Sequence, residues 1–249
     1  MKLLVIVLCL LSERFLIHSI SYHRFVWFER YYLFIKNLID KNNILNNTAL
    51  MLALIVLPIT IITSLVYLAV DSILFGLLGL LFNIALFFYC LGPKNPFYPI
   101  IDTDVEVPEH SAGTYFAEVN NQLFSVIFWY VIGGPIAALF FRLISLSKTI
   151  PSVAVLAKDT TEILEWIPAR LTVLLYLLVG NFQLGFQRFT GFLLVKPALN
   201  DQMLSECGLL AVRSNEFEEV PMPIAETLVE HAVIVLLVLV ALFTLAAWL

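Results

Sequence analysis

The chain has 249 residues, of which 61% are hydrophobic and 13% are charged, whereas a soluble domain is about 45–50% apolar even when glycine is counted. With a mean hydropathy of +0.94, the composition indicates a membrane protein and excludes a disordered chain, which needs few apolar residues. The 14 basic residues face 19 acidic ones, for a net charge of −5, which excludes a nucleic-acid binder with its basic face. We therefore predict one membrane-helical domain over residues 1–249, an all-α polytopic bundle.

Four apolar runs predict membrane-spanning helices. A spanning helix needs roughly 20 apolar residues, because bilayer hydrocarbon is about 30 Å thick and each helical residue rises about 1.5 Å. The predicted spans are residues 48–70, 72–91, 123–141 and 232–249. Only Asp71 separates the first two, which predicts a tight helical hairpin, and Arg142 is expected to end the third.

One or two shorter membrane helices are predicted in addition. Residues 3–20 carry Ser12, Glu13 and Arg14 near their centre, and the alternative is a signal peptide, because Lys2 precedes the apolar stretch. No small-x-small cleavage pattern follows, so we favour a retained N-terminal membrane helix. Residues 167–184 form either a short further span or a helix that lies partly in the interface.

The loops predict an orientation. Lys and Arg accumulate in cytoplasmic loops of membrane proteins. If all six segments span, the first, third and fifth polar stretches share one side and hold nine basic residues, against four on the other side. This predicts cytoplasmic loops at about 12–47, 92–122 and 183–231.

Charged and polar residues inside or beside the apolar helices are the candidate functional residues. Each such charge costs several kcal/mol in a membrane unless it is paired or hydrated. The candidates are Glu13, Arg14, Glu118, Asn120, Arg142, Glu165, Trp166 and Arg170. They form either a polar pocket for a small anionic ligand at the cytoplasmic mouth of the bundle, or a set of topology anchors and interhelical ion pairs.

A glycine–proline stretch interrupts the span at 123–141. Pro135 lacks a backbone N–H, which predicts a kink. Gly133 with Ala137 forms a small-xxx-small pair, and Gly134 starts another, so a neighbouring helix could approach closely. Close packing and a hinge both remain open as interpretations.

No metal or cofactor is predicted. The three cysteines lie far apart and match no zinc or CxxC spacing. The four histidines show no mutual ligand spacing, and the motifs of nucleotide binding, of nucleophilic serine hydrolases and of zinc peptidases are missing from the sequence.

Two stretches resemble motifs of one membrane-protein superfamily. Residues 128–142 read FWYVIGGPIAALFFR and resemble the "FW…GG…GAL.YR" span shared by the AmpE and CobD/CbiB families. Residues 165–172 read EWIPARLT and resemble the "DW.PARLT" element of the same superfamily, which is the more specific of the two.

The chain resembles the AmpE branch more closely. Its length and the start of the chain look like AmpE, and the "TLD.M.GY" stretch that usually follows in CobD/CbiB proteins is missing after Arg142. Glu165 and Val173 replace the usual Asp and Ala of that branch. The AmpE resemblance implies a multi-pass protein of the bacterial inner membrane with a regulatory or signalling role in β-lactamase induction, the antibiotic response and peptidoglycan recycling.

The sequence is compatible with three functions. The first is this AmpE-like regulator or sensor, more a regulator than an enzyme, with membrane lipid around it, a protein partner at its cytoplasmic loops and no nucleic acid. The second is a CobD/CbiB-like enzyme that forms an amide bond in cobalamin synthesis, with Glu118, Arg142, Glu165 and Arg170 holding an anionic substrate. The third is a small transporter or a structural bundle.

Overall fold

The computed structural model describes residues 2–15, 25–40, 47–71, 76–92, 110–213 and 220–246, and in these ranges the chain is helical with no strand. The first helices are α1 (Lys2–Phe15), α2 (Val26–Asp40), α3 (Thr48–Asp71) and α4 (Leu77–Cys90). The later ones are α5 (His110–Val119), a π-helix (Asn120–Phe124), α6 (Ser125–Ser147), α7 (Ala154–Leu164), α8 (Trp166–Val179), α9 (Phe182–Phe192), a 3-10 turn (Pro197–Leu199), α10 (Asn200–Val212) and α11 (Met222–Ala246). The predicted all-α class is confirmed for these residues.

Three helical stretches are long and apolar enough to cross a bilayer, by length and composition. They are Thr48–Val70 with 23 residues, Ala112–Ser147 with 36 and Met222–Ala246 with 25. They include the predicted spans at 48–70 and 123–141 and the described part of the span at 232–249. These helices indicate a membrane protein.

The predicted span at 72–91 is shorter in the structure. α4 has 14 residues, about 21 Å of helix against roughly 30 Å of hydrocarbon, so four long spans are not confirmed. The helix begins after Gly76, whose φ of 84° lies in the left-handed region that glycine tolerates best. Residues 72–75 lie outside the described ranges.

The two shorter predicted helices also have new boundaries. α8 has 14 residues and ends before Gly180, whose φ of −102° and ψ of −146° are not helical. The predicted helix therefore stops short of residue 184. α1 ends at Phe15, and residues 16–20 of the predicted N-terminal helix lie outside the described ranges.

The predicted third span is extended at both ends. α5 begins at His110, inside the predicted loop 92–122, and continues through the π-helix into α6. α6 does not end at Arg142 but runs on to Ser147. The helix can continue because the Arg142 side chain is buried and hydrogen-bonded, so its charge does not have to reach water.

The first compact unit comprises Met1–Lys94 and Val126–Thr161. Within it, α4 packs against α1 and α3, and α2 contacts α3. Tyr130 on α6 donates its hydroxyl to Asn83 Oδ1 at 2.8 Å, and its ring lies 4.3 Å from the Phe87 ring, measured between centroids. The hydrogen bond allows both polar groups to leave water without a large penalty.

The second compact unit comprises Asn95–Ser125 and Glu162–Leu249. α10 packs against α5, α8 and α9, and α8 also packs against α11. A Cβ atom at Gly180 would lie 2.1 Å from the carbonyl oxygen of Ala211. This glycine therefore allows the end of α8 to approach the backbone of α10.

Candidate functional site: the arginine of α8

The motif EWIPARLT forms the start of α8. Glu165 precedes the helix, and its carbonyl accepts a hydrogen bond from Ala169 N at 2.8 Å. Pro168 lies in the first turn, where a missing N–H costs little because the first N–H groups of a helix have no intrahelical partner. Trp166 and Arg170 are four residues apart and therefore lie on one side of the helix.

Arg170 is 8% exposed, and all five N–H groups of its guanidinium donate to protein acceptors. The acceptors, with their distances from the donor nitrogen, are the carbonyl oxygens of Trp166 (2.7 Å), Phe192 (3.3 Å), Leu193 (2.8 Å) and Val195 (3.0 Å) and Oδ1 of Asn200 (3.1 Å). A guanidinium has no sixth donor. An anion could therefore bind Arg170 only by displacing one of these acceptors.

Three of these carbonyls lie at the end of α9. Phe192 is the last residue of that helix, and Leu193 and Val195 follow it. The last carbonyls of a helix lack intrahelical partners and carry partial negative charge. Hydrogen bonds from a charged donor are roughly twice as strong as neutral ones. The hydrogen bonds of Arg170 therefore hold the C-terminal end of α9 against α8.

Trp166 and Asn200 complete the surroundings of Arg170. The guanidinium carbon lies 4.0 Å from the centroid of the Trp166 ring, which is a cation–π contact. The indole Nε1 donates to the Val195 carbonyl at 3.1 Å, and Asn200 Nδ2 donates to the Glu162 carbonyl at 2.8 Å. The aromatic and basic residues of the motif thus bind backbone carbonyls of their own unit.

Beside α8, the π-helix presents a buried amide. Asn120 is fully buried, and its Oδ1 accepts a hydrogen bond from Thr172 Oγ1 at 2.8 Å. Among the residues that the structure describes, the Nδ2 of Asn120 and the hydroxyl of Ser125 are buried without a hydrogen-bond partner. An unpaired buried polar group costs about 1–3 kcal/mol, and π-helical turns occur frequently at functional sites. These two groups retain unused hydrogen-bonding capacity.

Glu165 and Glu118 differ in their surroundings. Glu165 is 4% exposed, and its Oε1 accepts a hydrogen bond from Asn121 Nδ2. Glu118 lies on α5 just before the π-helix and is exposed, and both glutamates make further interactions. The structure therefore places Glu165, Asn120 and the Arg170 group around α8, with Glu118 on the adjoining helix.

Arg142 belongs to the first unit and binds another helix end. It is 1% exposed, and its Nε donates to the carbonyl of Cys90 at 2.7 Å. Cys90 is the last residue of α4, so this arginine, like Arg170, lies against the negative end of a helix. Arg142 also makes further interactions.

The helical geometry of α6 is interrupted at Gly134, whose φ of 73° and ψ of −164° are not helical. Pro135 follows and cannot donate a hydrogen bond to the carbonyl of Val131, four residues earlier. Lys2 Nζ donates to that carbonyl instead, at 2.7 Å. The kink thus coincides with the exposed Lys2 side chain, whose ammonium satisfies the freed carbonyl.

The neighbouring small residues contact their own helix. A Cβ atom at Gly133 would lie 2.5 Å from the Cβ of Ala137, and one at Gly134 would meet nothing within 4 Å. Within the described part of the chain, neither glycine is pressed against a second helix. A glycine is needed at position 133 because the bend in α6 brings Ala137 too close for another Cβ atom.

Glu13 and Arg14 lie in the last turn of α1. Their side chains lie outside the residues whose packing the structure describes. Their role in a polar pocket therefore stays a prediction.

Sequence reasoning missed Lys2 and Asn200 as partners of the candidate residues. Pro135 did indicate that the carbonyl of Val131 would be freed, but nothing in the sequence indicated that Lys2 would bind it. No comparable signal marked Asn200, which reaches Arg170 from the start of α10, 30 residues along the chain.

Comparisons with protein-family models, with curated proteins and with solved structures give no match to this chain. Among the residues that the structure describes, no group of three His, Cys, Asp or Glu side chains could hold a metal ion.

Proposed function

We propose that this chain is a multi-pass protein of the bacterial inner membrane with a regulatory or sensory role in β-lactamase induction and peptidoglycan recycling, as its resemblance to the AmpE family implies. Three helices of spanning length support the membrane assignment. The loops that the sequence predicts to be cytoplasmic would meet a protein partner.

The full occupancy of the Arg170 guanidinium carries this proposal. An enzyme that holds a carboxylate or phosphate with arginine needs free N–H groups in a fork that matches the anion. All five donors of Arg170 are taken by backbone carbonyls and one amide of its own unit. This favours a regulator with a rigid scaffold over the amide-forming enzyme.

The surface for a protein partner would lie on α2, within the loop 12–47 that the sequence predicts to be cytoplasmic. α2 exposes Leu33 and Phe34, with 50% and 63% of their surfaces accessible, beside the exposed Lys36. A mixed apolar and charged helix face of this kind suits a protein more than a small ligand.

A gene deletion tests the regulatory role. In a bacterium that carries this gene and an inducible β-lactamase, deletion should alter the level of β-lactamase after exposure to a β-lactam, and the wild-type gene should restore it. An Arg170→Ala gene should insert into the membrane but fail to restore induction. As a matched control, Arg188→Ala should restore it, because Arg188 is half exposed.

The same strain separates the alternatives. Unchanged induction after deletion would contradict the proposal. Loss of cobalamin synthesis on deletion, together with amide formation between aminopropanol phosphate and the corrin acid by the purified protein, would establish the enzyme instead.

A further inference from the structure

Four large apolar side chains are exposed along α9 and the turn that follows it. They are Phe182, Phe186, Leu193 and Leu194, with 45%, 39%, 42% and 86% of their surfaces accessible. The rings of Phe182 and Phe186 are stacked with centroids 4.8 Å apart. Large apolar side chains grouped in this way mark an interaction surface.

The residue pattern and the length of α9 are typical of a helix that lies along a membrane surface. The side next to these phenylalanines is buried through Gly185, Phe189 and Phe192, and Gln183 and Gln187 are exposed on the side opposite the buried one. Its 11 residues reach about 16 Å, too short for roughly 30 Å of hydrocarbon. A short helix with aromatic residues on one side and polar residues on the other lies in the bilayer interface.

Charge favours a phospholipid surface over a protein. Residues 167–200 contain no Asp or Glu, although the chain as a whole is acidic. Arg188 is paired with Glu206 at 2.6 Å, and this hydrogen bond and charge raise the pKa of Arg188. Lys196 is exposed two residues after Leu194, where its ammonium could meet lipid phosphates.

The exposed surface continues from α8. Ile167, Leu171 and Leu178 are 53%, 45% and 61% exposed, and their spacing of four and seven residues places them on one side of that apolar helix. α9 begins after Gly180 and Asn181. The apolar surface of α8 is thus followed directly in the chain by that of α9.

We propose that α9 and its following turn lie in the headgroup region of a phospholipid bilayer, with Phe182, Phe186, Leu193 and Leu194 among the acyl chains and Lys196 at the phosphates. Arg170 holds the carbonyls of the turn, so Leu193 and Leu194 are presented in a fixed direction. The proposal does not depend on the regulatory function.

Spin labels on the full-length protein in nanodiscs of phosphatidylglycerol and phosphatidylcholine test this. Nitroxides are attached at Leu194→Cys and Phe182→Cys, with Gln187→Cys on the same helix as matched control. The unlabelled background comes from the parent, whose three cysteines are buried. Collisions with oxygen, which partitions into lipid, are compared with collisions with a water-soluble nickel chelate.

The expected result is a higher ratio of oxygen to nickel collisions at 182 and 194 than at 187. Equal and high nickel access at all three positions would overturn the proposal, because the surface would then face water. Low access to both reagents at 182 and 194 would also overturn it, because a protein or a second copy would then cover the surface. A position whose variant fails to fold is replaced by Leu193→Cys.

Discussion

The helices α3 and α8 differ in how much of their length the protein buries. α3 is the longer, and only 22% of its most apolar 18-residue stretch is buried. α8 is shorter and carries a charge, yet Arg170, Thr172, Val173 and Tyr176 are all buried. Hydropathy alone therefore identifies the helix whose apolar surface is mostly left exposed by the protein, whereas the buried polar residues identify the helix that packs inside its unit.

The open groove on α3 fits this contrast. It is lined only by apolar side chains, with Leu54, Pro58 and Ile62 among them. In lipid such a surface needs no protein partner, since acyl chains are as apolar as leucine. The buried Arg170 of α8, by comparison, needs a hydrogen-bond acceptor for each N–H group of its guanidinium.

The largest expected effect is that of Arg170→Ala. Removing the guanidinium leaves four carbonyls, one buried and three partly buried, without their charged donor and removes the cation–π contact with Trp166. We expect a loss of about 3–5 kcal/mol in the free energy of unfolding, because several hydrogen bonds to a charged donor are lost together, measured as a lower thermal midpoint in detergent. The exposed Arg188→Ala control should change the midpoint little. An unchanged midpoint in Arg170→Ala would show that the buried Arg170 does not stabilise the packing of α8.

Two substitutions within α3 sharpen the comparison. Ile55 is fully buried and Leu57 is 46% exposed. We expect Ile55→Ala to cost about 2–4 kcal/mol through the cavity it leaves, and Leu57→Ala to cost far less, because lipid replaces the lost contacts. Equal costs in a thermal unfolding assay would indicate that protein covers the outer side of α3.

A pair of glycines tests how tightly α8 meets α10. A Cβ at Gly180 would strike the backbone of Ala211, whereas one at Gly191 meets nothing within 4 Å. Gly180→Ala should therefore destabilise by about 1–3 kcal/mol, while Gly191→Ala should be neutral or stabilise by up to about 1 kcal/mol because alanine favours helix. Similar midpoints for the two variants would show that α8 and α10 are loosely packed.

The smallest effect concerns the amide in the π-helix. Thr172→Val leaves Asn120 Oδ1 buried and unpaired, which should cost about 1 kcal/mol. Replacing both partners, as in Asn120→Leu with Thr172→Val, should recover most of that loss, since two apolar groups of similar shape need no hydrogen bond. A double variant as unstable as the sum of the single variants would show that the two residues do not interact.

The sequence was sufficient for some of this architecture. Long uncharged runs predicted the helices at 48–70 and 123–141, since hydropathy is a local property. The cost of a charge inside or beside an apolar helix also identified Arg142 and Arg170 as candidates, and both are buried and hydrogen-bonded.

The partners of these residues could not be predicted. Every residue carries a carbonyl, and only the fold decides which helix end lies beside an arginine, as Cys90 does for Arg142 and Phe192 for Arg170. The π-helix was missed as well, because one extra residue in a turn leaves no compositional mark. The short α4 was missed because Gly76 adopts a left-handed conformation that hydropathy does not register.

The Arg170 guanidinium donates to acceptors of its own unit rather than to an external anion. The most direct test follows the arginine N–H resonances by ¹H–¹⁵N NMR in nanodiscs while inorganic phosphate is added, with assignment from Arg170→Lys. We predict slowly exchanging Arg170 resonances that phosphate does not shift. A saturable shift of those resonances with phosphate would contradict the account.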